Sequence, residues 1–235
     1  MNWGRVVDII YPRRCVVCEE IIDSNSKGIC FECVKKIEYV REPVCKKCGK
    51  MILENTVEYC SDCKIKKHTY IQNKSVFLYK GEIQKSIHRF KYENKREYAS
   101  FFGNEILKMH SDWIIKCKPD CLIPIPLHKS REKQRGFNQA KLLADIIGEA
   151  LGIPVVDNLL LRVKKTKPQK ELNHADRKNN IKKSFIIKEN IVELKKSILI
   201  DDIYTTGSTL NEAGETLKEA GIMCYGLTLS IGGAD

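Results

Sequence analysis

SILIDDIYTTGSTL (residues 197–210) reads as an apolar strand, a short polar loop and the opening of a helix. Ile198, Leu199 and Ile200 run without alternation, as a strand buried on both faces requires. The strand delivers Asp201 and Asp202 to its carboxyl end. Thr205, Thr206, Gly207, Ser208 and Thr209 follow, and STLNEAGETLKEAG (208–221) has the apolar spacing of a helix stopping at Gly221. Such a turn gathers backbone amides, hydroxyls and a helix N-terminus around one point, which suits a phosphate. Gly207 lets the backbone approach closely. Two carboxylates repel the phosphate itself but accept hydrogen bonds from a neighbouring diol. A ribose 5-phosphate satisfies both halves, with charge-assisted bonds each worth roughly 1.5–3 kcal/mol.

The segments around this stretch predict its surroundings. SVFLYKGEIQKSIHRFKY (75–92) reads as a strand, a turn near Gly81 and an amphipathic segment, and residues 95–110 as a helix. CLIPIPL (121–127) is a short buried strand broken by Pro124 and Pro126. FNQAKLLADIIGEAL (137–151) has helical spacing and ends at Gly152. IPVV (153–156) and SFII (184–187) are candidate strands, and IMCYGLTLSI (222–231) is a last buried strand. Continuous apolar strands alternating with helices predict an α/β fold, a mainly parallel sheet covered on both faces.

The first 63 residues are organised differently. Eight of the eleven cysteines form four CxxC pairs, Cys15/Cys18, Cys30/Cys33, Cys45/Cys48 and Cys60/Cys63, each starting fifteen residues after the last. Two thiolates two residues apart can face one tetrahedral zinc from a tight turn, and two such turns close a four-sulfur site. Gly49 suits a turn that needs positive φ. Sequential pairing (Cys15, Cys18, Cys30, Cys33; then Cys45, Cys48, Cys60, Cys63) and an interleaved cross-brace use the same ligands. Closed four-sulfur sites are structural. Few apolar residues lie between the knuckles, so metal binding is expected to supply much of the local folding free energy. Cys121 and Cys224, in or beside apolar runs, are expected in the core. Trp3, Val6, Val7 and Ile10 have the spacing of a short packing helix. The pattern divides the chain into a zinc domain over 1–68 and an α/β domain over 69–235, with the boundary near 64–74.

Length and composition exclude other classes. The 235 residues are 43% hydrophobic, enough for an ordinary core and too much for wholesale disorder. No apolar run approaches the roughly 18 residues of a membrane span. Asp8 interrupts the first apolar run, so no signal peptide is expected and the cytoplasm is the expected location. The net charge of +11 is uneven: residues 71–196 carry a net +13 and residues 197–235 a net −5. A basic middle attracts polyanions, whether nucleic acid or a phosphorylated small molecule. Phe90, Tyr92 and Phe137 lie among basic residues and offer stacking or core packing.

Two further stretches carry charge. In PIPLHKSREKQRGFNQ (124–139) a Pro-kinked loop precedes Lys129, Arg131, Lys133 and Arg135, before the helix. RVKKTKPQKELNHADRKNNIKKSF (162–185) has nine basic residues against Glu171 and Asp176. It reads as a solvated loop or as a flap that closes over a polyphosphate.

ILIDDIYTTGST closely resembles the phosphoribosyl-pyrophosphate (PRPP) signature of type I phosphoribosyltransferases. The resemblance implies that Asp201 and Asp202 hold the ribose hydroxyls, as the residues central to any catalysis. It implies that Thr205, Thr206, Gly207, Ser208 and Thr209 wrap the 5-phosphate, and that Mg²⁺ accompanies the pyrophosphate. The loop at Leu127, His128 and Lys129, with Arg135, would hold the pyrophosphate. Thr205 stands where purine-salvage members often carry an Asp base, so the acceptor stays open. Taken together, four CxxC knuckles, PxPLH…RGFNQ, the segment with Thr166, Pro168, Gln169, Arg177 and Asn180, and IDDIYTTGST resemble the competence protein ComF family. That resemblance covers nearly the whole chain. It implies a double zinc ribbon before a type I phosphoribosyltransferase-like domain, and a cytoplasmic protein that handles incoming single-stranded DNA in natural transformation, with other uptake proteins as further partners. Two functions remain: a phosphoribosyltransferase of unknown acceptor, or a non-catalytic PRPP-sensing module that binds nucleic acid or docks other proteins.

Overall fold

The computed structural model describes residues 12–23, 26–163, 184–188 and 194–233. Trp3, Val6, Val7 and Ile10, and most of the basic stretch 162–185, lie outside them. Two short helices, α1 (Phe31–Val34) and α2 (Ser61–Ile65), belong to the cysteine-rich region. The remainder runs β1 (Asn73–Leu78), α3 (Gly81–Tyr92), α4 (Tyr98–Cys117), β2 (Cys121–Pro124), α5 (Lys129–Arg135), α6 (Gln139–Leu151), β3 (Leu160–Arg162), β4 (Phe185–Ile187), β5 (Lys196–Tyr204), α7 (Ser208–Glu219) and β6 (Met223–Ile231).

Four strands form one parallel sheet in the order β1-β6-β5-β2. Helices cover both faces, as continuous apolar strands demand. On one face Phe90, Phe102, Ile106, Leu143 and Ile147 pack on Val76, Leu122, Ile198 and Leu227. On the other, Leu210, Ala213 and Leu217 pack on Cys121, Ile123, Leu199 and Cys224. The predicted α/β architecture is therefore present, and Cys121 and Cys224 are core residues. Helix α6 buries Ala140, Leu143, Ala144 and Ile147 at the expected spacing. The Asn138 side chain accepts from the Ala140 amide at its start, and Gly152 closes its end at φ 66.

One expectation changes and two are refined. Residues 153–156 form a single parallel bridge, Val155 to Leu122, not a strand. Only one bridge fits because Pro154 lacks an amide to extend the ladder. SFII does form a strand, β4, but it pairs antiparallel with β3 in a separate two-stranded sheet. The basic run after the Pro-kinked loop forms a short helix of its own, α5, because His128 caps its start and Gly136 ends it at φ 76.

The cysteine-rich region packs directly on the sheet. Val40 N–H donates to Val76 O at 2.8 Å and Leu78 N–H to Glu38 O at 2.9 Å, so this region covers the β1 edge. Ser86 Oγ donates to Val16 O and Arg89 to Val17 O. Val16, Val17, Ile22 and Ile37 are buried in the same cluster as Phe77 and Ile83. Metal is thus not the region's sole source of folding energy: its apolar residues, too few for a core of their own, complete the core of the sheet.

Candidate functional site

The four knuckles gather sequentially. The sulfurs of Cys15, Cys18, Cys30 and Cys33 form one cluster and those of Cys45, Cys48, Cys60 and Cys63 another, all within 4.8 Å of one another in each. A tetrahedron with zinc–sulfur bonds of about 2.3 Å has edges of about 3.8 Å. Cys18 to Cys30 is 3.9 Å and Cys48 to Cys60 is 3.6 Å. Both clusters fit structural zinc, with no ligand position left for substrate. The amides of Val17 and Cys30 donate to Cys15 Sγ. Burial opposes ionisation, yet these amides and that of Cys18 hold the Cys15 thiol down at about 7. Gly49, at φ 79, brings its backbone against Asn73 O, where a Cβ would lie 2.8 Å away.

The second site is built at the carboxyl edge of the sheet. Strands β2 and β5 are parallel neighbours, so the loops that follow them emerge at the same edge. Ile125 N–H donates to Ile200 O at 2.9 Å, which carries the pairing past Pro124 up to the two acids. The loop after β5 places Thr205, Thr206 and Ser208 at the surface and Thr209 half-buried. Gly207 is the N-cap of α7 at φ 75 and, as a glycine, supplies no side-chain cap. A side chain at Gly207 would collide with the Tyr204 ring. The left-handed N-cap leaves the first-turn amides of α7 for a ligand or water.

Asp201 and Asp202 are both half-buried but differ in partners. Lys91 Nζ donates to Asp202 Oδ1 at 2.8 Å, with the two side chains only 13% and 14% exposed. Arg135 Nη1 is 4.0 Å from Asp202 Oδ2. Arg135 also donates to Gln139 Oε1 and Tyr92 Oη and lies over the Tyr92 ring. Asp201 accepts from the Asp202 amide at 2.9 Å. Burial and then the Asp202 charge push the Asp201 carboxyl up to about 7, against the pull of that amide, Lys91 and Arg162. Burial lowers Arg162, on β3, although Asp201 opposes this. The edge thus holds two carboxylates ringed by Lys91, Arg135 and Arg162.

Of the residues expected at a pyrophosphate, Leu127 and His128 are half-buried in the loop after β2, and Lys129 is exposed in the first turn of α5. His128 Nδ1 accepts from the Ser130 amide, so that ring atom serves as a helix cap. Arg135 sits beside Asp202. Phe90 and Phe137 are buried, so neither is a stacking platform, whereas Tyr92 is half exposed. Lys91 was not expected here, and Arg162 was expected only as the first residue of the basic stretch read as a solvated loop or a flap over a polyphosphate. Lys91 was hidden in an amphipathic helix, and only the packing of α3 on the sheet brings it to Asp202.

Residues 6–64 match the family described as a double zinc ribbon domain. Competence protein F of Haemophilus influenzae is 31% identical over 215 residues, covering 89% of this chain and 92% of that protein. Competence protein ComFC of Bacillus subtilis is 33% identical over 204 residues, 82% of this chain and 79% of that one. The DNA utilization protein YhgH of Salmonella typhimurium is 28% identical over 214 residues, 89% of this chain and 92% of its own length. With two such relatives above 30% identity over most of their length, a paired cysteine region and a parallel sheet behind it, this chain belongs to the family of competence protein F and ComFC.

Proposed function

We propose that this protein binds PRPP with Mg²⁺ at the carboxyl edge of its sheet and handles single-stranded DNA in the cytoplasm during DNA uptake. The names of its relatives, competence and DNA utilization proteins, support the process. The observation that carries the ligand is the pair Asp201 and Asp202 beside the start of α7, whose N-cap, Gly207, supplies no capping side chain. In this reading the acids accept the ribose hydroxyls. Thr205, Thr206, Gly207, Ser208 and Thr209 receive the 5-phosphate, and Leu127, His128, Lys129 and Arg135 the pyrophosphate. Mg²⁺ neutralises part of the pyrophosphate charge, whichever way it is used. The division into a ribbon over 1–68 and a PRPP domain over 69–235 is part of the proposal. Basic residues outside the PRPP edge supply the DNA contacts.

The residues support binding more directly than transfer. Thr205 offers no general base at pH 7, and Asp202 is already neutralised by Lys91. A non-catalytic PRPP sensor is therefore the second reading, and release of pyrophosphate in the presence of bases, nucleotides or DNA ends separates the two. The binding test is calorimetry with PRPP and Mg²⁺ on wild type and on the Asp201→Asn, Asp202→Asn double variant. Heat of binding in wild type alone is the expected result. Equal binding by both proteins removes the acids from the site.

A further inference from the structure

The second cysteine cluster lies against the same helix that carries the candidate phosphate loop, and one side chain bridges them. His68 follows α2 by three residues, and its Nε2 lies 3.4 Å from Cys63 Sγ. Its Nδ1 lies 2.8 Å from Asn211 Nδ2, in the first turn of α7. The orientation of Asn211 is set independently: the Thr69 amide donates to Asn211 Oδ1 at 3.0 Å, and Thr69 Oγ1 donates to Asn211 O at 2.8 Å. Asn211 therefore presents its NH₂ to His68 and Nδ1 accepts. The remaining proton is on Nε2, which donates to the Cys63 sulfur. An N–H donor to a zinc-bound thiolate draws charge from the sulfur and fixes the ring. Asn211 in turn donates its backbone amide to Gly207 O at 2.9 Å. The chain of contacts thus runs from a metal ligand to the N-cap of the loop.

A parallel contact reaches the same loop. His68 stacks on Tyr70, whose hydroxyl bonds that of Tyr204 at 2.7 Å. The Tyr204 ring is the surface against which Gly207 closes.

We infer that His68 is a positioning residue, which transmits the geometry of the Cys45, Cys48, Cys60 and Cys63 centre to the anion loop of α7. Its effect on ligand affinity rests on the PRPP reading; its effect on the loop does not. The metal centre is then a part of the ligand site rather than a separate fold anchor, and binding at the loop and metal retention are linked in both directions.

The test uses zinc-loaded wild type, His68→Phe and Asn211→Ala. Phe keeps a ring to stack on Tyr70 and removes both ring nitrogens; Asn211→Ala breaks the same link from the other end if one variant fails to fold. Amide hydrogen exchange without ligand is expected to be about tenfold faster at residues 211–214, the first amides of α7 with intrahelical partners, in the variants. Exchange in β1 and the zinc content are expected to match wild type. Affinity for PRPP with Mg²⁺ should fall about tenfold, within the roughly 5–150-fold range of couplings between sites. PRPP should slow zinc release to a chelator in wild type and not in His68→Phe. Wild-type exchange at 211–214 in folded, zinc-loaded variants would overturn the inference, and so would acceleration spread evenly over the chain. If wild type itself fails to bind PRPP, the proposed ligand is wrong, and the exchange measurement still decides the role of His68.

Discussion

Replacing Asp201 by Asn should stabilise the ligand-free protein while removing its ligand. Burial and the adjacent Asp202 push the Asp201 carboxyl up to about 7, from an ordinary 3.8. The folded state therefore holds a proton that the unfolded chain has already released, and the acid lowers stability as pH rises from about 4 to about 7. Above about 7 the carboxylate is ionised in both states and the deficit is constant. One pKa unit corresponds to about 1.4 kcal/mol, so the full shift amounts to roughly 4 kcal/mol. Between pH 5.5 and 8.5 the part still to be lost is about 2 kcal/mol, or about 1 kcal/mol when the coupling to Asp202 is discounted by half. Asn is isosteric and carries no charge, so it escapes this cost. The gap in melting temperature between Asp201→Asn and wild type should widen by roughly 2–8 °C over that range, taking 2–4 °C per kcal/mol for a chain of this size. Differential scanning fluorimetry on both proteins across the pH range measures it. Proton effects at the cysteine centres are shared by both and cancel in the difference. Parallel curves, with a constant gap from pH 5.5 to 8.5, would show that Asp201 is an ordinary solvated acid.

The Asp202 ion pair gives a second measurement. Lys91→Met should cost about 2–3 kcal/mol, below the 3–5 kcal/mol typical of a broken buried pair because Arg135 remains near. Adding Asp202→Asn should restore part of this loss, and strictly additive urea-denaturation energies would deny the coupling. Gly207→Ala should destabilise by about 1–3 kcal/mol, since φ 75 and the Tyr204 ring both oppose a side chain. The same change should weaken PRPP binding in calorimetry, and wild-type affinity would place the phosphate elsewhere. Cys48→Ser should release one zinc per chain, by colorimetric assay, with the first cluster still loaded; loss of both would mean that the two centres are not independent. Affinity for a single-stranded oligonucleotide should fall steeply between 50 and 200 mM salt, and a flat response would exclude backbone contacts.

Much of this was readable in the chain because the signals are local. The knuckle spacing shows which residues can share a metal. The uninterrupted apolar run before Asp201 predicts a buried parallel strand, and Gly152 and Gly207 stand where a left-handed residue is needed. The short elements were less legible for a related reason. A helix of seven residues such as α5 carries too little periodicity to register among charges, and whether IPVV or SFII finds a strand partner depends on distant segments.

Residue order alone thus established the ligand types, the strand that ends in two acids and the alternation of sheet and helix, since each depends on neighbours within a turn or two. Three-dimensional packing decided what no local rule contains. It chose sequential over interleaved sharing of the cysteines. It laid the knuckles on the sheet so that Val16 and Val17 finish its core. It also brought Lys91 to Asp202 across 111 positions and His68 to Asn211 across 143. Those contacts join side chains that are strangers in sequence, and they form only when burial of apolar surface on both faces of the sheet fixes every helix at once.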